Sequence, residues 1–242
     1  MKAGNSRQVN IGAEESGRNA EGVVSGAEAD VTTRLRTKAQ WAQASGLMDV
    51  VVERGNLMLA YDRVLKNKGA AGVDGIGIAE FKAHLKQHWP TIKAKLLAGD
   101  YIPSPVRRVD IPKLQGGVRT LGIPTLPDRL IQQALHQVLS PIFEAEFSDS
   151  SYGFRPGRSA HQAVKTAQKY VAEGRRVVVD MDLEKFFNSM SHSKLLEVLA
   201  EKIEDHHFLR LIRRMLRNSI LSEEGEIRQN ERGTPQGAPI SP

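Results

Sequence analysis

The stretch RVVVDMDLEKFFNSMSH (residues 176–192) decides the fold of this 242-residue chain. Its first half is rich in valine and carries two acids, which is typical of a buried β-strand with functional groups at its end. Side chains alternate across a strand, so Val178, Asp180 and Asp182 would share one face. A carboxylate in such a strand is costly to bury unless it is paired, hydrogen-bonded or bound to a cation. Two interpretations of Asp182 follow: a metal ligand, or a capping aspartate at a strand-to-helix turn.

Two adjacent aromatic residues come directly after the acids. Phe186 is predicted to be a core residue. Phe187 is either a second core residue or a wall against the sugar of a bound nucleotide, since a planar ring can reject a ribose 2′-hydroxyl by its bulk. The spacing does not decide between them.

Upstream, VRRVDIP (106–112) and VRTLGIP (118–124) have the composition of strands and are separated by KLQGG, which predicts a β-hairpin with a glycine turn. The hairpin carries four cations beside a turn that allows backbone to approach a ligand closely. Solvation is the ordinary alternative for exposed basic side chains. The cations are Arg107, Arg108, Lys113 and Arg119.

The remaining periodicity predicts a helix-rich front followed by alternating strands and helices. Ser159 with Gln162 forms a capping-box pattern, and Asp205 is placed to cap a later helix. A second hairpin is predicted at 220–230, around Glu224-Gly225. Helices are predicted at about 48–67, 78–88, 90–98, from Asp128 onward, from Ser159 to Gly174, 193–203 and 206–217.

The composition predicts a basic protein of the cytoplasm that binds a polyanion. The formal charge is +6 and the sequence pI about 9.6, which favours nucleic acid ahead of a membrane surface. No apolar run approaches the length of a membrane span. The absence of cysteine excludes disulfides and thiolate metal sites.

The stretch 177–192 resembles the first carboxylate motif of reverse transcriptases, in the form found in group II intron enzymes. Four further blocks resemble the same family in the family's own order, so the resemblance covers about residues 48–242. The blocks are GVDGIGIAEF (72–81), VRTLGIPTLPDRLIQQAL (118–135), SYGFRPGRSAHQAV (151–164) and RGTPQGAPISP (232–242).

The resemblance implies an α+β fold of the right-hand polymerase type. Its fingers would be helix-rich with a β-hairpin, and its antiparallel palm sheet would be incomplete. By this resemblance residues 41–175 would be the fingers-like region and 176–242 a partial palm. Residues 1–40 lie outside the resemblance and are predicted to be a disordered tail, because they contain no aromatic residue and no apolar periodicity.

The resemblance also implies roles for particular residues in Mg²⁺-dependent, RNA-templated DNA synthesis. The acid that corresponds to Asp182 binds catalytic Mg²⁺, helped by the backbone carbonyl of Leu183. The aromatic residue that corresponds to Phe187 is the sugar gate. The triphosphate is held by Lys113 and Arg119, and Gln236 contacts the nucleotide near the templating base. The implied partners are a template of intron RNA, a DNA primer or target, and a dNTP.

Further arginines are candidates for nucleic-acid contact. Arg210, Arg213, Arg214 and Arg217 recur at helical spacing and form one basic stripe without an acid. An ordinary solvated helix face is the alternative. Arg155 and Arg158, in a glycine-rich loop, are template candidates by resemblance, and Arg107 and Arg108 belong to the same set.

Histidines do not indicate another chemistry. His84 and His88 lie one helical turn apart, but no acid is spaced to complete a zinc site with them. His206 and His207 are predicted to be ordinary surface or core residues.

The sequence departs from the family at its end and at two internal positions. Nucleotidyl transfer by two metals needs several carboxylates around two ions, and the family supplies the others from an Ala-Asp-Asp hairpin after the block in which this chain ends. The 242 residues alone are therefore expected to be inactive. Asn188 replaces a usual aspartate, and Ala238-Pro239 a usual glycine-containing pair.

Two alternatives to an intron polymerase stay open. The chain could be a non-catalytic RNA-binding splicing factor that keeps the basic fingers. It could also be a reverse transcriptase of a retron, a CRISPR locus or a phage-defence system.

Overall fold

A computed structural model describes residues 46–112, 116–183, 186–222 and 224–241. The predicted tail 1–40 and Lys113 lie outside these residues, and for Arg119 the backbone alone is described.

The described chain alternates helices with two short hairpins. In order, the elements are α1 (Leu47–Val51), α2 (Arg54–Lys66), α3 (Ile78–Leu97), β1 (Val106–Pro112), β2 (Val118–Ile123), α4 (Leu126–Phe143), a 3-10 turn (Glu144–Glu146), α5 (Ala160–Ala172), α6 (Phe186–Ser189), α7 (His192–Ala200), α8 (His206–Leu216), β3 (Ser219–Leu221) and β4 (Ile227–Gln229).

The strands form one mixed sheet in the order β2-β1-β3-β4. Both hairpins were predicted from their glycine turns, and both are present. β1 and β2 pair antiparallel over six residues, from Arg107 opposite Ile123 to Pro112 opposite Val118. β3 joins β1 in parallel, with Val106 opposite Ile220. The pairing attaches the second hairpin, which follows α8, directly to the first.

The core is built around α4, whose inner face is almost completely buried. Leu135 and Val138 of α4 pack in the same cluster as Phe208 and Ile212 of α8. The predicted α+β class with a helix-rich front is confirmed. The boundary proposed at 175/176 stays a prediction, although residues on both sides of it share this core.

Two helix predictions were wrong in their boundaries. The segments 78–88 and 90–98 form the single helix α3 with Pro90 inside it. Proline removes the donor for the carbonyl of Lys86, but Lys86 is exposed, so water can satisfy that oxygen. The predicted helix 48–67 is instead two helices, because Glu53 leaves the helical conformation and its side chain accepts a hydrogen bond from the amide of Asn56.

The prediction of a buried strand at 176–183 was wrong. The described segment 175–183 has no regular secondary structure and is exposed throughout. Val178 and Met181 expose 87% and 86% of their surface. A strand needs a hydrogen-bonded neighbour, and none of the described strands pairs with this segment. Phe186, predicted to be a core residue, is 46% exposed because no strand packs over it.

The helix caps follow the sequence closely. Ser159 and Gln162 form the predicted capping box of α5, and the Asp205 carboxylate accepts from the amides of His207 and Phe208 at the start of α8. Among the helices that the structure describes, none combines the length and the apolarity needed to cross a membrane.

Candidate nucleotide and template cleft

The loop 232–237 is joined to the first hairpin at Gly122 of β2. The Gly122 amide donates to the Gln236 carbonyl at 2.9 Å. A Cβ at residue 122 would lie 2.6 Å from Pro235 Cβ and 2.8 Å from Val106 Cγ1. Glycine is therefore required here by the close approach of the loop, and this contact places Gln236 beside the hairpin.

The same loop is joined to the turn that carries Phe187. The Gly233 amide donates to the Met190 carbonyl and the Thr234 amide to the Phe187 carbonyl, both at 2.8 Å. Gly233 has φ of +71°, and a Cβ there would lie 2.7 Å from Asn188 Cα. Two of the predicted site residues, Phe187 and Gln236, are thus fastened to one short loop.

A cleft of about 690 Å³ opens between the first hairpin and this loop. Its polar side chains come from both walls, with Arg108 and Thr120 on the hairpin and Gln236 on the loop. The complete lining is Arg108, Val118, Thr120, Leu121, Gly122, Asn188, Ile220, Asn230, Arg232, Thr234, Pro235 and Gln236.

The hairpin wall is ordered by hydrogen bonds to Asp110. Arg108 forms an ion pair with Asp110 at 2.8 Å, and the Thr120 hydroxyl donates to Asp110 at 2.6 Å. The hydrogen bond from Arg108, and to a smaller extent that from Thr120, lowers the pKa of the exposed Asp110 carboxyl. Exposed pairs of this kind contribute little to stability, but they orient the guanidinium at the mouth of the cleft.

Asp182 lies in the exposed segment that precedes α6, and its neighbour Leu183 is 71% exposed. The Leu183 carbonyl accepts from the Phe186 amide at 3.3 Å. No group of three or more His, Asp or Glu side chains able to hold a metal occurs within the described ranges. These residues therefore do not by themselves fit the two-ion site that the resemblance implies, because such a site needs several converging carboxylates.

Phe187 has the exposure that a sugar contact requires. It is 40% exposed, and its ring meets the Phe186 ring edge to face at 5.6 Å between centroids. The gate role stays a prediction, as do the roles of Leu183 and Gln236.

The triphosphate candidates lie largely outside the described part of the chain. Lys113 is not described, and Arg119 is placed by its backbone alone, opposite Ile111 in the hairpin. Their assignment stays a prediction.

The basic stripe of α8 has three exposed members, Arg210, Arg213 and Arg217. Arg214 differs, because its Nη1 donates to the carbonyls of Gly99 at 2.7 Å and Tyr101 at 2.8 Å. Its guanidinium therefore binds the backbone of the segment that follows α3, a role that the helical spacing could not indicate.

Other candidate arginines are also bound within the protein. The Arg155 side chain is 7% exposed and pairs with Glu144 at 2.8 Å, and its Nη1 donates to the Ser151 carbonyl. Arg158 pairs with Asp149. Arg107 donates from Nη2 to the Ala71 carbonyl at 2.8 Å. Nucleic-acid contact by these three residues stays a prediction.

The glycine-rich loop 69–77 is fastened beside the first hairpin. Besides Arg107, Arg129 reaches this loop, with Nη2 donating to the Ala70 carbonyl and Nε to that of Pro124. Burial lowers the pKa of Arg129. A Cβ on Gly72 would lie 2.7 Å from the Thr125 backbone, so the loop packs directly on the start of α4.

A buried carboxyl connects the end of α3, the start of β1 and the start of α4. Asp128 is completely buried and accepts from the Tyr101 hydroxyl at 2.8 Å, the Ser104 amide at 3.0 Å and the Thr125 hydroxyl at 2.6 Å. Desolvation raises its pKa despite these bonds. The network fixes the base of the hairpin that forms one wall of the cleft.

Sequence reasoning missed Asn230, Arg232 and His192. Asn230 and Arg232 line the cleft, and Arg232 stands directly before Gly233 in a block that had been singled out, which was an available signal. His192 is buried at the start of α7 with Nε2 2.6 Å from the Gly233 carbonyl. A single histidine at a helix start carries no such signal.

Comparisons with known proteins agree with this architecture. Residues 111–242, more than half of the chain, match the family described as reverse transcriptase (RNA-dependent DNA polymerase). The chain belongs to this family.

Its relatives specify the branch. Protein YkfC of Escherichia coli is 37% identical over 224 residues, which cover 88% of this chain and 58% of that protein. The group II intron-encoded protein LtrA of Lactococcus lactis is 37% identical over 185 residues, which cover 76% of this chain and 30% of that protein. The match to LtrA confirms the predicted resemblance to group II intron reverse transcriptases. The chain spans less than two thirds of the length of either.

A solved structure, the partial Cas6-RT-Cas1–Cas2 complex, matches 81% of this chain and 32% of its own with a TM-score of 0.54 and 24% identity. At that identity the likeness shows the fold alone. It confirms the expected polymerase fingers-and-palm fold.

Proposed function

We propose that this chain supplies the fingers and the nucleotide-binding part of the palm in an RNA-directed DNA polymerase of a group II intron. The observation that carries the proposal is the double attachment of loop 232–237, to Gly122 on one side and to Phe187 on the other. The base-contact candidate Gln236 lines one cleft with Arg108 and Arg232, and the sugar-gate candidate Phe187 directly precedes Asn188, which lines the same cleft.

The ligands follow from the chemistry of the cleft. Arginine and amide side chains suit phosphate oxygens and base edges, and the adjacent Phe187 ring offers bulk against a 2′-hydroxyl. A dNTP would be bound with its triphosphate towards Lys113 and Arg119, its sugar at Phe187 and its base near Gln236. The intron RNA serves as template and a DNA strand as primer.

Mg²⁺ supplies the electrophilic activation of the phosphate when it is bound. Asp182, with the Leu183 carbonyl, is the part of its site that this chain contributes. Since the described residues lack a cluster of three acids, we assign no transfer step to them. Their role is to bind the template and to orient the nucleotide.

The test is a pair of measurements on the 242-residue chain. Fluorescence anisotropy with a labelled RNA oligonucleotide should show binding, and equilibrium dialysis with an RNA–DNA template-primer should show retention of the complementary dNTP. Primer extension with Mg²⁺ should give no product. Absence of RNA and dNTP binding would refute the proposal, and template-dependent product would refute the expected inactivity.

Asp182 has a separate test in a longer version of the protein that polymerises. Asp182→Ala should abolish synthesis and leave RNA affinity within a few-fold, because the side chain is exposed and away from the core. An equal loss of synthesis and RNA binding would make Asp182 a structural residue. Asp62→Ala, which removes an exposed carboxylate on α2, is the control.

A second candidate function is a non-catalytic RNA-binding splicing factor. It is favoured by the missing cluster of three acids among the residues described, together with the basic surface of α8. Added to a self-splicing intron RNA, such a chain should accelerate splicing while showing no dependence on dNTPs.

A further inference from the structure

His192 is a buried polar side chain that the proposed function does not use. It is the first residue of α7 and is 7% exposed. Its Nε2 lies 2.6 Å from the Gly233 carbonyl. Because a carbonyl can only accept, Nε2 must carry the proton and donate.

The Gly233 carbonyl is also held from a second direction. Asn230 donates from Nδ2 to this oxygen at 3.0 Å and to the Leu216 carbonyl at 2.8 Å. The amide of Gly233 is bonded to Met190, and that of Thr234 to Phe187. Gly233 is therefore fixed at both its amide and its carbonyl by residues 187–192, and His192 is the side chain in this set that is supplied by α7.

We propose, on the basis of the proposed function, that His192 is a positioning residue that sets Phe187 relative to Gln236 and thereby tunes discrimination between dNTPs and rNTPs. The hydrogen bond of the His192 side chain is to the Gly233 carbonyl and not to Phe187 or Gln236. Phe187 and Gln236 belong to the two backbone segments that this bond connects. A buried hydrogen bond of 2.6 Å leaves those two segments little freedom to move relative to each other.

Three variants separate the donated hydrogen bond from bulk. His192→Gln keeps a hydrogen-bond donor of similar reach. His192→Leu keeps similar bulk but has no donor. His207→Leu is the matched control, because His207 also bonds a backbone carbonyl, that of Leu97 at 3.1 Å, at the start of α8 and away from the loop.

The first measurement is amide hydrogen exchange of the whole chain by mass spectrometry. Loss of a buried hydrogen bond corresponds to about a tenfold to hundredfold increase in local opening. His192→Leu should accelerate exchange by about that factor in peptides covering 186–190 and 232–237 and leave α4 unchanged. His192→Gln should restore the wild-type rates to within about threefold, and His207→Leu should leave both peptides unaltered.

The second measurement is the ratio of dNTP to rNTP affinity in the presence of an RNA–DNA template-primer. His192→Leu should lower this ratio by about threefold or more, and His192→Gln should recover it. Unchanged exchange in His192→Leu overturns the proposal. So does faster exchange with an unchanged affinity ratio, which would make His192 only a structural residue.

Failure of the proposed function is distinguishable from failure of this inference. If the wild-type chain binds no dNTP, the proposed function is refuted. The amide hydrogen exchange data alone then show whether His192 holds the loop 232–237 in place. If His192→Leu does not fold, His192→Asn replaces it, since its shorter side chain cannot reach the Gly233 carbonyl.

Discussion

The exposed face of α8 gives the sharpest prediction about nucleic-acid binding. We expect the triple change of Arg210, Arg213 and Arg217 to Gln to flatten the salt dependence of RNA binding. Arg214 is left out because its Nη1 is already bonded to the carbonyls of Gly99 and Tyr101. The structure therefore predicts three phosphate contacts from this helix where the helical spacing predicted four.

The magnitude follows from counterion release. Each phosphate contact on a single strand contributes about 0.7 to the slope of log K against log[salt], so three contacts change the slope by about 2. Over a fourfold rise in salt, binding by the unmodified chain should weaken about 20-fold more than binding by the triple variant.

The assay is fluorescence anisotropy with a labelled single-stranded RNA over a NaCl series. Arg214→Gln is the control: it should keep the slope and lower the free energy of unfolding by roughly 1.5–3 kcal/mol, since it loses hydrogen bonds from a charged donor. An unchanged slope in the triple variant would show that these three arginines are ordinary solvated residues and do not contact phosphate. A salt-dependence slope that is smaller in magnitude by about 0.7 in Arg214→Gln would show that Arg214 also contacts phosphate.

Three further predictions concern the gate, the loop contact and the buried acid. In a longer version that polymerises, Phe187→Ala should admit rNTPs and so lower the dNTP-over-rNTP ratio of kcat/KM; an unchanged ratio would remove the gate role. Gly122→Ala should lower the free energy of unfolding by about 1–3 kcal/mol because its Cβ would overlap Pro235, whereas Gly153→Ala, with nothing within 4 Å, should be close to neutral in chemical denaturation. The folded-state pKa of Asp128 is raised, so the free energy of unfolding should fall as pH rises from the ordinary carboxyl range through that raised pKa. In denaturant titrations, Asp128→Asn should make this fall smaller. An equal pH dependence of the two proteins would contradict the prediction.

Local patterns predicted the elements that depend on neighbouring residues. The Ser159–Gln162 capping box, the Asp205 cap and both hairpins were predicted because each signal lies within a few residues of the structure it makes. The helix that contains Pro90 shows the limit of such rules, because an exposed carbonyl can lose its partner without ending the helix.

The site was predicted in its composition but not in its connections. The sequence identified Phe187 and Gln236, but their attachment runs through backbone atoms of Gly122 and Thr234. The arginines show the same limit. Arg214 and Tyr101 are 113 residues apart, and a basic residue looks the same in a sequence whether it meets a phosphate or a distant carbonyl.

The segment 176–183 shows why residue type alone does not define a strand. Its three consecutive valines are typical of a strand buried on both faces, and that pattern supported the prediction. Strand formation, however, needs a neighbour to take the backbone hydrogen bonds and cover both faces, and the described strands are paired with one another instead. Val177 and Val178 would lie on opposite faces of a strand, and both are exposed, at 86% and 87%, so no described residue covers either side chain. The place of Asp182 in the site therefore stays a prediction, whereas the backbones of Phe187 and Gln236 are fixed by hydrogen bonds among the described residues.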